Sequence, residues 1–112
     1  MNTLKNRVQL IGNLGMNPEV RSLGNNRKMA NFRMATSESY RGADGKRVEH
    51  TQWHNVIAWG AVAEIAERYL KKGKEVAVKG KLVHRTYDDK NGNKRYVTEV
   101  VASELLMLGN QK

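Results

Sequence analysis

No cysteine occurs in the 112 residues. That excludes disulfides, thiolate catalysis and thiolate-bound zinc together, and it suits a reducing compartment. Proline occurs once, at Pro18, where Asn17-Pro18 marks a turn. No apolar run approaches the roughly 20 residues that span a bilayer. The amino terminus, M-N-T-L-K-N-R-V, lacks the apolar centre of a secretory signal. Acidic residues are scarce, 11 Asp and Glu against 20 Lys and Arg. Aromatic residues number only seven, yet both tryptophans fall within the ten residues 51–60, T-Q-W-H-N-V-I-A-W-G.

What is present is positive charge. The net value of +9 favours a polyanion partner, nucleic acid before an anionic membrane. The excess is concentrated: residues 71–95 hold nine basic side chains against three acidic ones. Hydrophobic content of 39% and a length of 112 residues suit one modest globular core, so residues 1–112 read as a single domain.

Period-2 alternation dominates the chain. Residues 4–14 read as a strand, with Val8, Leu10 and Gly12 on one face and Gly12 and Gly15 marking a bend. Residues 18–24 continue extended, and G-N-N-R-K supplies a turn. In residues 29–40, Ala30, Phe32 and Met34 share a face. Arg41–Glu49 reads as a long polar loop of the kind that carries binding contacts. In the tryptophan segment Trp53, Asn55, Ile57 and Trp59 lie on one face, and His54, Val56 and Ala58 on the other. Alternation alone leaves open which face meets the core. The period then changes: Val62, Ile65, Ala66, Tyr69 and Leu70 recur at helical spacing, predicting a helix over Ala61–Lys72 that ends at Gly73. Residues 74–87 alternate with Val76, Val78, Gly80 and Leu82 inward and Lys79, Lys81, Val83, Arg85 and Tyr87 outward. D-D-K-N-G-N-K is a hairpin tip, and residues 95–108 return as strand. Five β segments with one helix between the third and fourth match a five-stranded OB-fold Greek-key barrel, mainly β. The pattern alone also admits another small α+β sheet with a helix on one side.

The residues for catalysis do not assemble. His50 and His54 have a spacing that binds metal on a helix, but here they fall on a loop-to-strand junction without a third ligand. Asp88 and Asp89 sit in a turn, and G-N-L-G lacks the Lys-Ser/Thr of a phosphate loop. No nucleophile, base and orienter coincide, so the chain reads as a binder, not an enzyme, with no metal and no cofactor. The aromatic residues are interleaved with cations: Tyr87 with Arg85, Lys81 and Lys79, Tyr40 with Arg33 and Arg41, and the two tryptophans on a common face. Stacked rings beside cations suit single-stranded nucleic acid, because every base has a π face and every phosphate a charge. Phe32 and Tyr69 read as core.

V-Q-L-I-G-N-L-G-M-N-P-E-V-R, A-T-S-E-S-Y, the tryptophan segment, A-E-I-A-E-R-Y-L-K-K-G and R-Y-V-T-E-V-V-A follow one another in an order and spacing that resemble the bacterial single-stranded DNA-binding proteins, from about residue 4 to 108. The resemblance implies an OB fold that binds single-stranded DNA with little sequence preference. It implies a homotetramer that protects strands in replication, recombination and repair, at a cytoplasmic, nucleoid-associated location and with no membrane partner. Tyr40, Trp53, Trp59 and Tyr87 match the family's base-stacking positions, with Trp59 where phenylalanine is usual. Arg7, Arg21, Lys72 and Arg85 match its backbone-tracking cations, and Arg33 and Arg41 join them from strand parity and loop position. His54 matches a family residue at a subunit contact. Ala61 and Val83 depart from the basic residues that enterobacterial members often carry. The family continues into a flexible linker and an acidic, hydrophobic-ended tail that recruits replication and repair proteins. Here the last acidic residue is Glu104 and the chain as read ends at Lys112 without that linker or tail, as a truncated or a tail-less form, so recruitment by the tail is not inferred from it. Two other readings follow from the same features: an OB-fold accessory whose main partners are proteins, and a metal hydrolase built on His50 and His54.

Overall fold

Among the described residues, aliphatic side chains at every second position give six strands, and one interval of helical spacing gives a helix. The computed structural model describes residues 5–25 and 27–108. The strands are β1 (Val8–Leu14), β2 (Glu19–Leu23), β3 (Arg27–Arg41), β4 (Arg47–Trp59), β5 (Glu75–Asp88) and β6 (Lys94–Met107), and the helix α1 (Gly60–Tyr69) lies between β4 and β5. Leu4, at the start of the expected first strand, and Asn26, in the expected turn, lie outside the described residues.

β1 pairs antiparallel with β5, β5 with β6 and β4 with β3, while β6 and β4 run parallel at Val56–Ala58. β3 returns to β1 through Asn13↔Ala35 and Leu14↔Met34. That circuit closes a five-stranded barrel of the OB type. β2 continues β1 beyond the Pro18 turn and lies along the outer edge of β3.

The inward positions are small or aliphatic. Phe32, Met34, Val56, Val76 and Val78 are fully buried, with Ala30 and Ala58 beside them. Burying each larger side chain contributes roughly 1.5–3 kcal/mol. α1 closes the barrel with a narrow stripe of Ala63, Ala66 and the cap residue Leu70. A bulge lets β6 serve the core along its length. Lys79 pairs with Glu104 but Gly80 with Ala102, leaving Ser103 unpaired, so Val100 and Ala102 before it and Leu105 and Met107 after it all turn inward.

Three expectations change. The helix stops at Tyr69, not Lys72, because tertiary partners capture the chain: the Lys72 N–H donates to Asn17 Oδ1 at 2.8 Å and the Gly73 N–H to the Leu14 carbonyl at 2.8 Å. Tyr69 is exposed on the helix flank, since the buried stripe runs through the alanines. The long loop expected over Arg41–Glu49 shrinks to the five residues 42–46, with Arg41 and residues 47–49 in strand. Pairing continues to Arg41↔Arg47, and residues 42–46 form a tight turn in which the Gly42 N–H donates to the Lys46 carbonyl at 2.8 Å. Both faces of that hairpin end are polar, so no apolar alternation announces it.

Two hairpins therefore project beyond the barrel, β3–β4 and β5–β6. The radius of gyration, 16.2 Å, exceeds the ~13 Å of a compact chain this long accordingly. Leu82 keeps its inward parity but is exposed, because it lies where β5 leaves the barrel. Asp89 ties off the β5–β6 tip. Its carboxylate accepts the N–H groups of Asn91 and Asn93 and the Arg95 Nε, each at 2.9 Å. The Asn93 hydrogen bond, with help from Arg95, holds the Asp89 carboxyl below its ordinary value. A depressed carboxyl stabilises the fold above its unfolded pKa and loses that contribution as pH falls through the folded one. In a pH titration by two-dimensional NMR, the Asn91 and Asn93 amide shifts should move together at a pH below the usual aspartate range. Independent or absent titration would contradict this tie.

Candidate nucleic-acid interface

Because the barrel interior accepts the small side chains, the alternate positions of β3 and β4 must face outward. Trp53, Asn55, Ile57 and Trp59 stand on that outer face opposite Ala35, Arg33, Asn31 and Met29, in that order. The two rings are 55% and 39% exposed, which settles the open parity of the tryptophan segment: Val56 and Ala58 are the core residues. Six strand steps separate the tryptophans, about 20 Å along the sheet.

Each tryptophan carries a cation. The Arg33 guanidinium lies 5.7 Å from the Trp53 ring centre and the Arg27 guanidinium 5.5 Å from that of Trp59. Trp53 rests on Gly15. A Cβ there would fall 2.7 Å from Trp53 Cη2 and closer still to Cζ3, so only glycine leaves room for the ring. Between β2, β3, β4 and the β5–β6 pair runs a groove of about 580 Å³, lined by Arg21, Asn31, Asn55, Trp59, Arg85 and Glu99 over Met29, Ile57, Val83 and Val101. Tyr87 stands beyond it on the β5–β6 hairpin, with the Arg85 guanidinium 6.0 Å from its ring centre.

Of the cations named from sequence, Arg21, Arg33 and Arg85 border this groove or its tryptophans. Lys72 follows the helix beside Asn17 and Gly73, next to Leu14 at the end of β1, which Gly15 follows. Arg41 lies at the far end of the β3–β4 hairpin, across from Arg47. Arg7 lines a separate shallow groove with Asn6, Lys79, Lys81 and Ser103, sharing only Val101 with the first. There the Lys79 ammonium, 2.9 Å from Glu104, holds that carboxyl below its ordinary value. Asn6 extends the β1–β5 ladder with its side chain, donating to the Leu82 carbonyl and accepting the Leu82 N–H, each at 3.0 Å.

Tyr40 is not brought to the tryptophans. It pairs with Val48 on the opposite face of the β3–β4 hairpin and lies 5.7 Å from the His50 ring, next to Glu38 and Gln52. His54 points inward, its Nε2 2.9 Å from Thr36 Oγ1. Four strand steps place His50 and His54 about 13 Å apart along β4, too far to share a metal ion.

Sequence reasoning missed Arg27, Asn31, Asn55 and Glu99. The parity that picked out Trp53 and Trp59 would have found Asn55, and that of Arg33 would have found Asn31 and Arg27. Glu99 needed the bulge at Ser103, which no local pattern signals. Arg85, named as a phosphate contact, is held by that carboxylate: Nε to Oε1 at 2.9 Å and Nη2 to Oε2 at 3.0 Å. The pair raises the Arg85 pKa, chiefly through the hydrogen bond.

A family model described as Single-strand binding protein family matches residues 5–108. The chain is similar to Single-stranded DNA-binding protein 1 of Chlorobaculum tepidum, 45% identical over 105 residues, which are 93% of this chain and 65% of that protein. It is equally similar to the single-stranded DNA-binding protein of Neisseria meningitidis serogroup A, 45% over 106 residues, 95% of this chain and 61% of that one. The chain thus spans less than two thirds of the length of these relatives. Among solved structures, a Plasmodium falciparum SSB complex with ssDNA matches with a TM-score of 0.87 at 29% identity, over 97% of this chain and 100% of that one. A deletion mutant of the single-stranded DNA binding protein from Thermus aquaticus matches with a TM-score of 0.81 at 25% identity, over 95% of this chain and 51% of that one.

The seat of Trp53 is testable without a ligand. In a Trp59→Phe background, where Trp53 is the sole indole, Gly15→Ala should shift the emission to the red and raise acrylamide quenching. Unchanged emission would show that the ring does not depend on Gly15.

Proposed function

The chain belongs to the single-strand binding protein family, and from that premise we propose that it binds single-stranded DNA with little sequence preference and protects it in replication, recombination and repair. One observation carries the reading: both tryptophans stand half-exposed on one outward face, each under an arginine, and Trp59 lines a groove on that face. A large exposed ring costs solvation, and a stacked base relieves that cost.

The rings supply stacking, worth roughly 1–3 kcal/mol per base without reading sequence. Arg21, Arg27 and Arg33 follow the phosphates along the β2–β3 side of the groove. Asn31 and Asn55 offer amide donors and acceptors to base edges. Tyr87 and Tyr40 take bases where the strand crosses the two projecting hairpins, Tyr40 from the opposite face. Lys72 meets the backbone near Trp53, and Arg41 at the β3–β4 tip. Arg7, Lys79 and Lys81 extend the cationic path around the barrel.

The assembly proposed is a homotetramer. Ile11 and Leu106 are 51% and 62% exposed on either side of Ala77, an apolar strip across β1, β5 and β6. Among the described residues, the second edge of β1 pairs with β3 only at Asn13 and Leu14, which leaves Val8–Gly12 available to a neighbouring copy. His54 joins a subunit contact in this reading, steadied by Thr36. The protein acts in the cytoplasm on the nucleoid.

Titration with poly-dT should quench tryptophan emission, and log affinity should fall with log salt by about 0.7 per neutralised phosphate. Trp53→Ala should weaken binding by about 1–3 kcal/mol with little loss of melting temperature. A large drop in melting temperature with unaltered affinity would make Trp53 a packing residue. Absence of quenching at low salt would remove the proposal.

A further inference from the structure

Glu99 is the buried charged side chain among the described residues, 8% exposed, and it lines the groove proposed for a polyanion. A carboxylate there opposes phosphate, so its place calls for an explanation. Its two oxygens accept Nε and Nη2 of Arg85 at 2.9 and 3.0 Å, the bidentate fork that fixes a guanidinium in one plane. The pair is electrically neutral. Arg27 and Arg33 differ: among the described residues neither has a carboxylate within salt-bridge distance. The two sides of the groove are therefore unlike. The β2–β3 side presents Arg21 and, over the Trp59 ring, Arg27, neither with a carboxylate within salt-bridge distance among the described residues. The β5–β6 side presents an arginine cancelled by a buried acid, beside Val83, Val101 and Ile57.

We propose that Glu99 is a positioning residue that divides the groove by charge, reserving its β5–β6 side for nucleobases and confining the phosphates to the β2–β3 side. This rests on the single-stranded DNA reading above and adds an orientation to it. Phosphate gains little from a pair whose charges cancel, even though the guanidinium is its exposed member and the carboxylate lies buried beneath it. A base gains on both counts, since its ring lies on the valines and isoleucine. Its polar edge meets the Arg85 N–H groups that Glu99 leaves unused. With its plane fixed, Arg85 also holds its place by Tyr87, 6.0 Å from the ring centre, so a base entering from the hairpin meets a prepared stack.

Salt dependence separates this from a purely structural ion pair, because it counts phosphates. Measure log affinity for a dT oligomer against log salt for the wild type, for Glu99→Gln and for the double variant Arg85→Gln/Glu99→Gln. Glu99→Gln frees Arg85 to reach phosphate, so the slope should steepen by about 0.7, about 2.6-fold more affinity lost over a fourfold rise in salt. Its preference for the dT oligomer over an abasic oligomer of equal length should fall. The double variant restores a neutral groove side, and its slope should equal that of the wild type. If Arg85 already neutralises a phosphate, the double variant will be shallower by about 0.7 and Glu99→Gln unchanged, which overturns the proposal. Should Glu99→Gln not fold, the double variant decides alone by the same criterion. A wild type that binds no dT oligomer would refute the single-stranded DNA reading itself, a failure distinct from either slope result.

Discussion

Closure of the barrel is the constraint on which the rest of this molecule depends. Once β1 meets β3 at Asn13↔Ala35 and Leu14↔Met34, the interior is a narrow cylinder. It is filled by Ala30, Phe32, Met34, Val56, Ala58, Val76 and Val78 and plugged by the alanine stripe of α1. An interior packed to crystal-like density has no space for an indole. Trp53 and Trp59 take the outer face because period 2 gives them no other choice once Val56 and Ala58 are inside. The same parity that builds the core thus builds the binding surface.

The outer face is not left as bare hydrophobic area. Arginines from the neighbouring strand lie over both indoles, and Gly15 seats one of them. These contacts limit the rotamers of rings that have little else to pack against, so a base meets a surface already ordered. The cations cover the rings in the structure and, in the proposed binding mode, face phosphate as well. Arg85 is instead tied to the buried Glu99, and in the proposed binding mode that pairing withdraws its charge from phosphate.

Much of this was legible in the residues. Alternation located β3, β4 and β5, the change of period located α1, and Phe32, Val76 and Val78 proved to be core. The misses share a cause: tertiary contacts that leave no local pattern. Asn17 and Leu14 end the helix early, two-sided polarity hides the end of the β3–β4 hairpin, and the Ser103 bulge resets parity along β6. The position of Tyr40 in the chain matched the stacking set, yet strand parity puts it on the face opposite Trp53, beside His50.

In the proposed binding mode the outward tryptophan face, and not the core face, receives the strand. The most direct test is two-dimensional NMR of the labelled protein during addition of a dT oligomer, following the indole N–H signals and the core methyls together. Both indole signals, of Trp53 and Trp59, should shift or broaden with the oligomer while the methyls of Val56, Val76 and Val78 stay in place. Stationary indoles with moving core methyls would contradict that binding mode.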